Sequence, residues 1–198
     1  MILANPSKFT SVSNAVHMSS EINGMTILHA CIRFNPPPST LKLMLRLSPA
    51  SAGWVDCLNR TALHVAAGIR ASPKCIKMLV DACPEACMIQ DADGKTALHF
   101  ACDVNCELFQ GDEGITREPP SFEVVSYLVR SSLESLLLED EQGMSALECA
   151  IMSDADISII KFLMQGTKRQ CLLEQTPATS SVSKSARTQR RGDVGIGL

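Results

Sequence analysis

Apolar positions along the chain gather into short runs at helical spacing, and the runs come in pairs. The first pair opens with Thr26 to Phe34, which predicts a short helix. It stops at Asn35-Pro36-Pro37-Pro38, because proline lacks the N–H that a continuing helix needs. Leu41, Leu43, Met44, Leu45 and Leu47 then predict a second helix, capped by Ser39 or Thr40 and ended by Pro49. The second pair is Thr61 to Arg70, followed by a helix with Ser72 as cap, Pro73 at its first position, and Cys75, Ile76, Met78, Leu79 and Val80 on its apolar face. The third pair ends in a helix carrying Phe122, Val124, Val125, Tyr127, Leu128 and Val129. The fourth ends in Ile157, Ile159, Ile160, Phe162, Leu163 and Met164.

The first helices share one phrase. Gly94-Lys95-Thr96-Ala97-Leu98-His99-Phe100-Ala101 has relatives starting at Gly24, Asn59 and Gly143. His29, His64 and His99 stand 35 apart, twice, and the fourth copy begins 49 after the third. Similarity at such a period predicts stacked units, each hiding its neighbour's apolar flank. Within a unit, His29 to Leu41, His64 to Ile76 and Glu148 to Ile160 are each 12 apart, whereas His99 to Val125 is 26. The third unit therefore holds a 14-residue insertion within 103–121. Its Gly111, Asp112, Glu113, Gly114, Pro119 and Pro120 predict a surface loop.

The units so divided are 21–55, 56–90, 91–139 and a closing 140–166. Residues 1–20 read either as the remnant of a preceding helix or as an irregular arm. Residues 167–198, dominated by Ser, Thr, Gln and Arg, read as a disordered basic tail.

The repeated Gly-x-Thr-Ala-Leu-His-x-Ala resembles the ankyrin repeat, over roughly 21–165. The resemblance implies an all-α solenoid of helix-turn-helix units. Thr26, Thr61 and Thr96 would satisfy free amides at helix starts, and His29, His64 and His99 would be structural, bonded to the turn. Leu28, Leu63, Leu98 and Leu147 would fill the seams between units. Gly24, Gly94, Gly143 and Asn59 suit a turn with positive φ. The fourth copy departs from the phrase with Ser145 and Glu148, as a modified cap would.

The resemblance also implies a partner protein on the hairpin tips and the exposed side of the first helices. Carried over by position, that surface is Ile22, Asn23, Met25, Arg33 and Phe34; Cys57, Leu58, Arg60 and Ile69; Ala92, Asp93, Lys95, Asp103 and Val104; and Gln142, Met144 and Met152. Apolar members of this set would form a contact strip, unless the insertion folds over some of them.

Composition narrows the chemistry. Aromatics are 4% of the chain, which suits helices packed through small and aliphatic side chains rather than a sheet of aromatic pairs. From Gly166 onward six Lys/Arg face two Asp/Glu, a net of +4. The other 165 residues then carry −7 of the total −3, which is not a nucleic-acid footprint. Nine scattered cysteines without a secretory leader, and no apolar run long enough for a membrane span, point to a reducing intracellular setting, cytoplasmic or nuclear. Arg190-Arg191 is too sparse for an import signal.

No nucleophile elbow or phosphate loop occurs, and no cofactor is expected. Stacked histidines lie too far apart to share one ion. Cys83-x3-Cys87 and Cys102-x3-Cys106 lack the spacing of a zinc knuckle. Glu21, Asp56, Asp91 and Asp140 recur at one place in each unit, where Asp shapes turns. With Asp93, Glu139 and Glu141 they could also form an acidic rim for a basic partner. The expected protein is a monomeric, non-catalytic scaffold or adaptor; the alternative is a recognition module of a larger enzyme, channel or regulatory protein.

Overall fold

A computed structural model describes residues 25–109, 112, 114 and 116–175. Eight α-helices are found among them: α1 (Ile27–Arg33), α2 (Pro38–Leu47), α3 (Ala62–Gly68), α4 (Pro73–Ala82), α5 (Ala97–Cys102), α6 (Phe122–Ser131), α7 (Ala146–Met152) and α8 (Ile157–Gln175). Short 3-10 turns at Pro49–Gly53, Pro84–Cys87 and Glu134–Leu137 follow α2, α4 and α6. The first helices α1, α3, α5 and α7 stack in one row, and α2, α4, α6 and α8 stack in a second row behind it. The fold is all-α and repetitive, with no strand longer than an isolated bridge among the described residues.

The layers follow from side-chain size. Ala62, Ala66, Ala97, Ala101, Ala146 and Ala150 are buried along the first-helix row, where only small residues let neighbouring helices approach. Leu28, Leu63 and Leu98 sit in the seams and are almost wholly buried, each contributing roughly 1.5–3 kcal/mol of apolar burial. Leu147 is only half-buried, because no further first helix follows α7 among the described residues. In the second row, Leu41, Ile76, Leu79, Val125, Leu128, Ile159 and Leu163 close the core.

Each hairpin between units is built by one aspartate. Asp56 Oδ1 accepts the N–H of Leu58 and of Arg60, both at 2.9 Å. Asp91 does the same for Asp93 and Lys95, and Asp140 for Gln142 and Met144. All three aspartates are buried, so their place is within the turns, not on an acidic rim. The turns need positive φ at Asn59 (+58°), Gly94 (+76°) and Gly143 (+74°), as their residue types predict. Neighbouring tips are joined edge to edge: Ala92 N–H donates to Leu58 O at 2.8 Å, and Glu141 N–H to Asp93 O at 2.9 Å.

Several expectations are corrected. The second helix of the first unit starts at Pro38 with Pro37 before it, so neither Ser39 nor Thr40 is its cap. Ser72 does cap α4, accepting from Cys75 N–H. Helix α8 runs on to Gln175, so 167–175 are not part of a disordered tail. The cause is a close approach. Gly166 lies so near the Glu134–Leu137 turn that a Cβ there would come within 2.8 Å of Leu136, and one turn later Gln170 is buried. The rest of that tail, and the arm at 1–20, fall outside the described residues.

The insertion at 103–121 is not a loop standing clear of the surface. Cys106, Leu108 and Pro120 within it are buried. Asn35, Arg70 and Asp154 end α1, α3 and α7 in the left-handed region, each six residues beyond its histidine or glutamate. Helix α5 departs from this pattern. It ends at Cys102 with Asp103 already extended, and the chain is released into the insertion.

Candidate protein-interaction surface

The repeated histidines are built into the helix starts. Thr26, Thr61 and Thr96 each donate a hydroxyl hydrogen to the Nδ1 of the histidine three residues on, at 2.8, 2.9 and 2.8 Å. The backbone N–H of the same threonine also points at that nitrogen. Nε2–H then reaches beyond the helix: His29 to Arg60 O at 2.8 Å and His99 to Met144 O at 3.0 Å, both in the next unit's hairpin, and His64 to Ile89 O at 3.0 Å, just before that hairpin. One side chain therefore caps its own helix and ties the stack together. In the fourth unit Glu148 performs the capping half. It accepts from Ser145 N–H at 2.6 Å and Ser145 O–H at 2.9 Å.

Burial keeps the rings of His64 and His99 neutral, which this bonding requires. His64 is pushed down to about 4, chiefly by desolvation, with the Ile89 and Lys95 carbonyls partly opposing it. His99 is lowered for the same reason. The cysteines weighed as metal ligands are shifted the other way. Burial raises Cys87 to about 11 and pushes Cys102 and Cys106 up as well. These thiols stay protonated at neutral pH, whereas ligation and nucleophilic attack need the thiolate. Among the described residues no group of three or more His, Cys, Asp or Glu could hold a metal ion.

The residues expected to meet a partner divide into three sets. Phe34 is 82% exposed and Leu58 45%, and Arg33 and Asp93 are also open to solvent. Met25, Ile69, Lys95, Val104 and Met144 are half-buried. Lys95 pairs with Asp103 at 3.4 Å, and the N–H of Val104 is bonded to Ser153 Oγ at 3.0 Å. Arg60 is a correction. It is 5% exposed, its Nε and Nη2 grip the Asp56 carboxylate at 2.9 and 2.7 Å, and its Nη1 donates to the Leu108 carbonyl. Ile22 lies outside the described residues.

The insertion accounts for the burial of Arg60. Leu108 lies on Gly68, the last residue of α3, and Cys106 Sγ–H donates to the Gly68 carbonyl at 3.7 Å. Phe109 brings its ring beneath the Arg33 guanidinium at 4.0 Å and near that of Arg60 at 5.6 Å. Arg70 fastens both ends of the segment. Its guanidinium donates to Asp103 O at 2.9 Å and Glu118 O at 2.8 Å, and also to Phe100 O at 2.7 Å and Ala67 O at 3.2 Å. Of the expected contact residues, Arg33, stacked on Phe109, and Phe34, Leu58 and Asp93 are therefore left open.

Sequence reasoning did not reach Phe109, Leu108 or Arg70. Two signals were available. Gly68 is a glycine at a helical position where the other units carry Arg33, Asp103 and Met152. Arg70 takes the place of Asn35 and Asp154, residues that tolerate the left-handed region better.

No curated protein matches the chain. Residues 28–110 match a family model described as ankyrin repeats in three copies, a module of protein–protein interaction whose members are typically non-catalytic. The unit from Asp140 onward lies beyond that match yet repeats its hairpin, its positive-φ glycine and its capping box. With the helix pairs stacked in two rows and the capping box repeated in every unit, residues 28–110 are ankyrin repeats, and the unit that follows is built on the same plan.

Proposed function

We propose that this protein is a non-catalytic scaffold or adaptor that holds a partner protein on its hairpin tips and first-helix side. The observation that carries the reading is the exposure of two large apolar side chains, Phe34 and Leu58, at positions where the repeat presents its tips and first helices. A large aromatic left in water on a preformed surface is a characteristic anchor of protein contacts. Asp93, Glu139 and Glu141 on the tips give the edge an acidic margin, which favours a partner with basic residues flanking its apolar contact.

The setting belongs to the same proposal: an intracellular monomer, cytoplasmic or nuclear, with no nucleic acid and no cofactor. Nine free cysteines support a reducing compartment. No helix among the described residues is long and apolar enough to cross a membrane.

The test replaces Phe34 and Leu58 with Asp, singly and together. Both are exposed, so helical circular dichroism and the melting temperature should hold. Partners recovered by affinity purification with the wild-type chain should be lost with the double variant. Undiminished recovery of the same partners would refute the assignment.

A further inference from the structure

A second surface, on the opposite row, has a different chemistry. Helices α2 and α4 are ten residues each, about 15 Å long, and lie side by side with their N-termini at the same end. The groove between them has an apolar floor of Leu45 and Met78, both half-buried. Its rim carries Lys42 and Arg46, one turn apart on α2, and Lys74 at the start of α4. All three are exposed, and none takes part in an ion pair among the described residues. The one carboxylate at the rim, Asp81, already accepts the Tyr127 hydroxyl at 2.9 Å. Three free cations around an apolar floor are out of keeping with a chain that carries −7 before Gly166.

We propose that this groove docks an amphipathic helix of a partner protein, apolar along one stripe and lined with Glu and Asp on both flanks. Apolar side chains spaced i, i+3, i+4 and i+7 would cover Leu45 and Met78, and the flanking carboxylates would meet Lys42, Arg46 and Lys74. Three turns of helix span the groove. The chain's own ends lack the matching charge. The segment from Gly166 onward is net +4, and residues 1–24 hold one Lys and one Glu. The groove lies on the second-helix row, away from Phe34 and Leu58, so this docking stands or falls independently of that site.

The probe is a fluorescein-labelled helical peptide of about fourteen residues, with a Leu/Phe stripe and Glu flanks, titrated into the full chain by fluorescence anisotropy. Saturable binding that weakens with added salt is expected. Lys42→Glu with Arg46→Glu, and separately Lys74→Glu, should each weaken it by about tenfold or more while the melting temperature holds. Lys161→Glu on α8 makes the same charge change away from the groove and should leave binding intact. Four results would overturn the proposal. They are no saturable binding, equal binding of a Lys-flanked peptide, equal weakening by Lys161→Glu, and groove-dependent cosedimentation with phosphatidylserine vesicles in place of peptide binding. The last would assign the groove to anionic membranes.

Discussion

The side chain of Leu108 occupies the space that a β-carbon on Gly68 would need, with Leu108 Cδ1 only 2.6 Å from the ideal position. An insertion that lies between the two helices of the third unit is thereby seated on the first helix of the second. Gly68→Ala sets two effects against each other. Alanine favours the helix by roughly 1 kcal/mol, and its methyl group pushes against Leu108. The expected result is a melting temperature that moves little, with amide exchange at 106–109 becoming markedly faster. Unchanged exchange there would show that Leu108 yields without giving up its seat.

Arg70 offers a sharper test of the same docking. At φ +62° it holds a left-handed conformation that costs a non-glycine residue roughly 1–2 kcal/mol. Its guanidinium recovers that cost through four carbonyls, two of them at the ends of the insertion. Arg70→Ala keeps the strain and loses the bonds, so stability should fall by roughly 2–3 kcal/mol. Glu-C protease should then cut at Glu107 or Glu118 faster than in the wild type. Arg70→Gly relieves the strain, so it should recover part of the stability and none of the protease resistance.

Acid should weaken the stack through its histidines. His64 sits near 4 in the fold and near 6.5 when unfolded, so below 6.5 the unfolded chain binds the extra proton. Its contribution is complete above about pH 6.5 and drains away as pH falls toward 4. Between pH 7.5 and pH 5.0 the loss should be roughly 2 kcal/mol from this ring alone, with His99 adding in the same direction. Urea denaturation at the two pH values measures it. His64→Gln should lower stability at pH 7.5 and flatten the pH dependence. A wild-type chain equally stable at both values would contradict a neutral, buried His64.

These three cases also show what the sequence could disclose. The histidines repeat at a fixed interval because each makes the same local bonds to a threonine three residues away. Local chemistry of that kind leaves a periodic trace, and so do Asp56, Asp91 and Asp140 in their turns. The contact surface was only half legible. Phe34 and Leu58 can be placed by their position in the repeat, but the same positional rule puts Arg60 on the surface, where it is not. Its burial depends on the Leu108 carbonyl, 48 residues away, in the one segment with no counterpart in the other units. The extension of α8 was hidden for a related reason. Residues 167–175 are polar enough to read as tail, and what orders them is contact near Leu136, which no pattern within the helix announces.

Gly94 and Gly143 hold the same turn position, with φ +76° and +74°, but in different surroundings. A β-carbon on Gly143 would meet nothing within 4 Å. One on Gly94 would lie 2.9 Å from Glu141 N and 3.1 Å from Asp140 Cα, backbone atoms of the next hairpin. Gly143→Ala should therefore cost only the left-handed strain, roughly 1–2 kcal/mol. Gly94→Ala bears that strain and also forces apart two tips joined by the Glu141 N–H to Asp93 O bond. Its loss should exceed that of Gly143→Ala by about 1 kcal/mol or more. Asn59→Gly removes a β-carbon from a residue at φ +58° but also removes the Asn59 Nδ2 bond to Gln90 O at 2.6 Å, so its two effects should nearly cancel. Urea midpoints for the three variants should rank Gly94→Ala lowest, Gly143→Ala next and Asn59→Gly closest to wild type. Equal losses at Gly94 and Gly143 would mean that the tips do not press against one another.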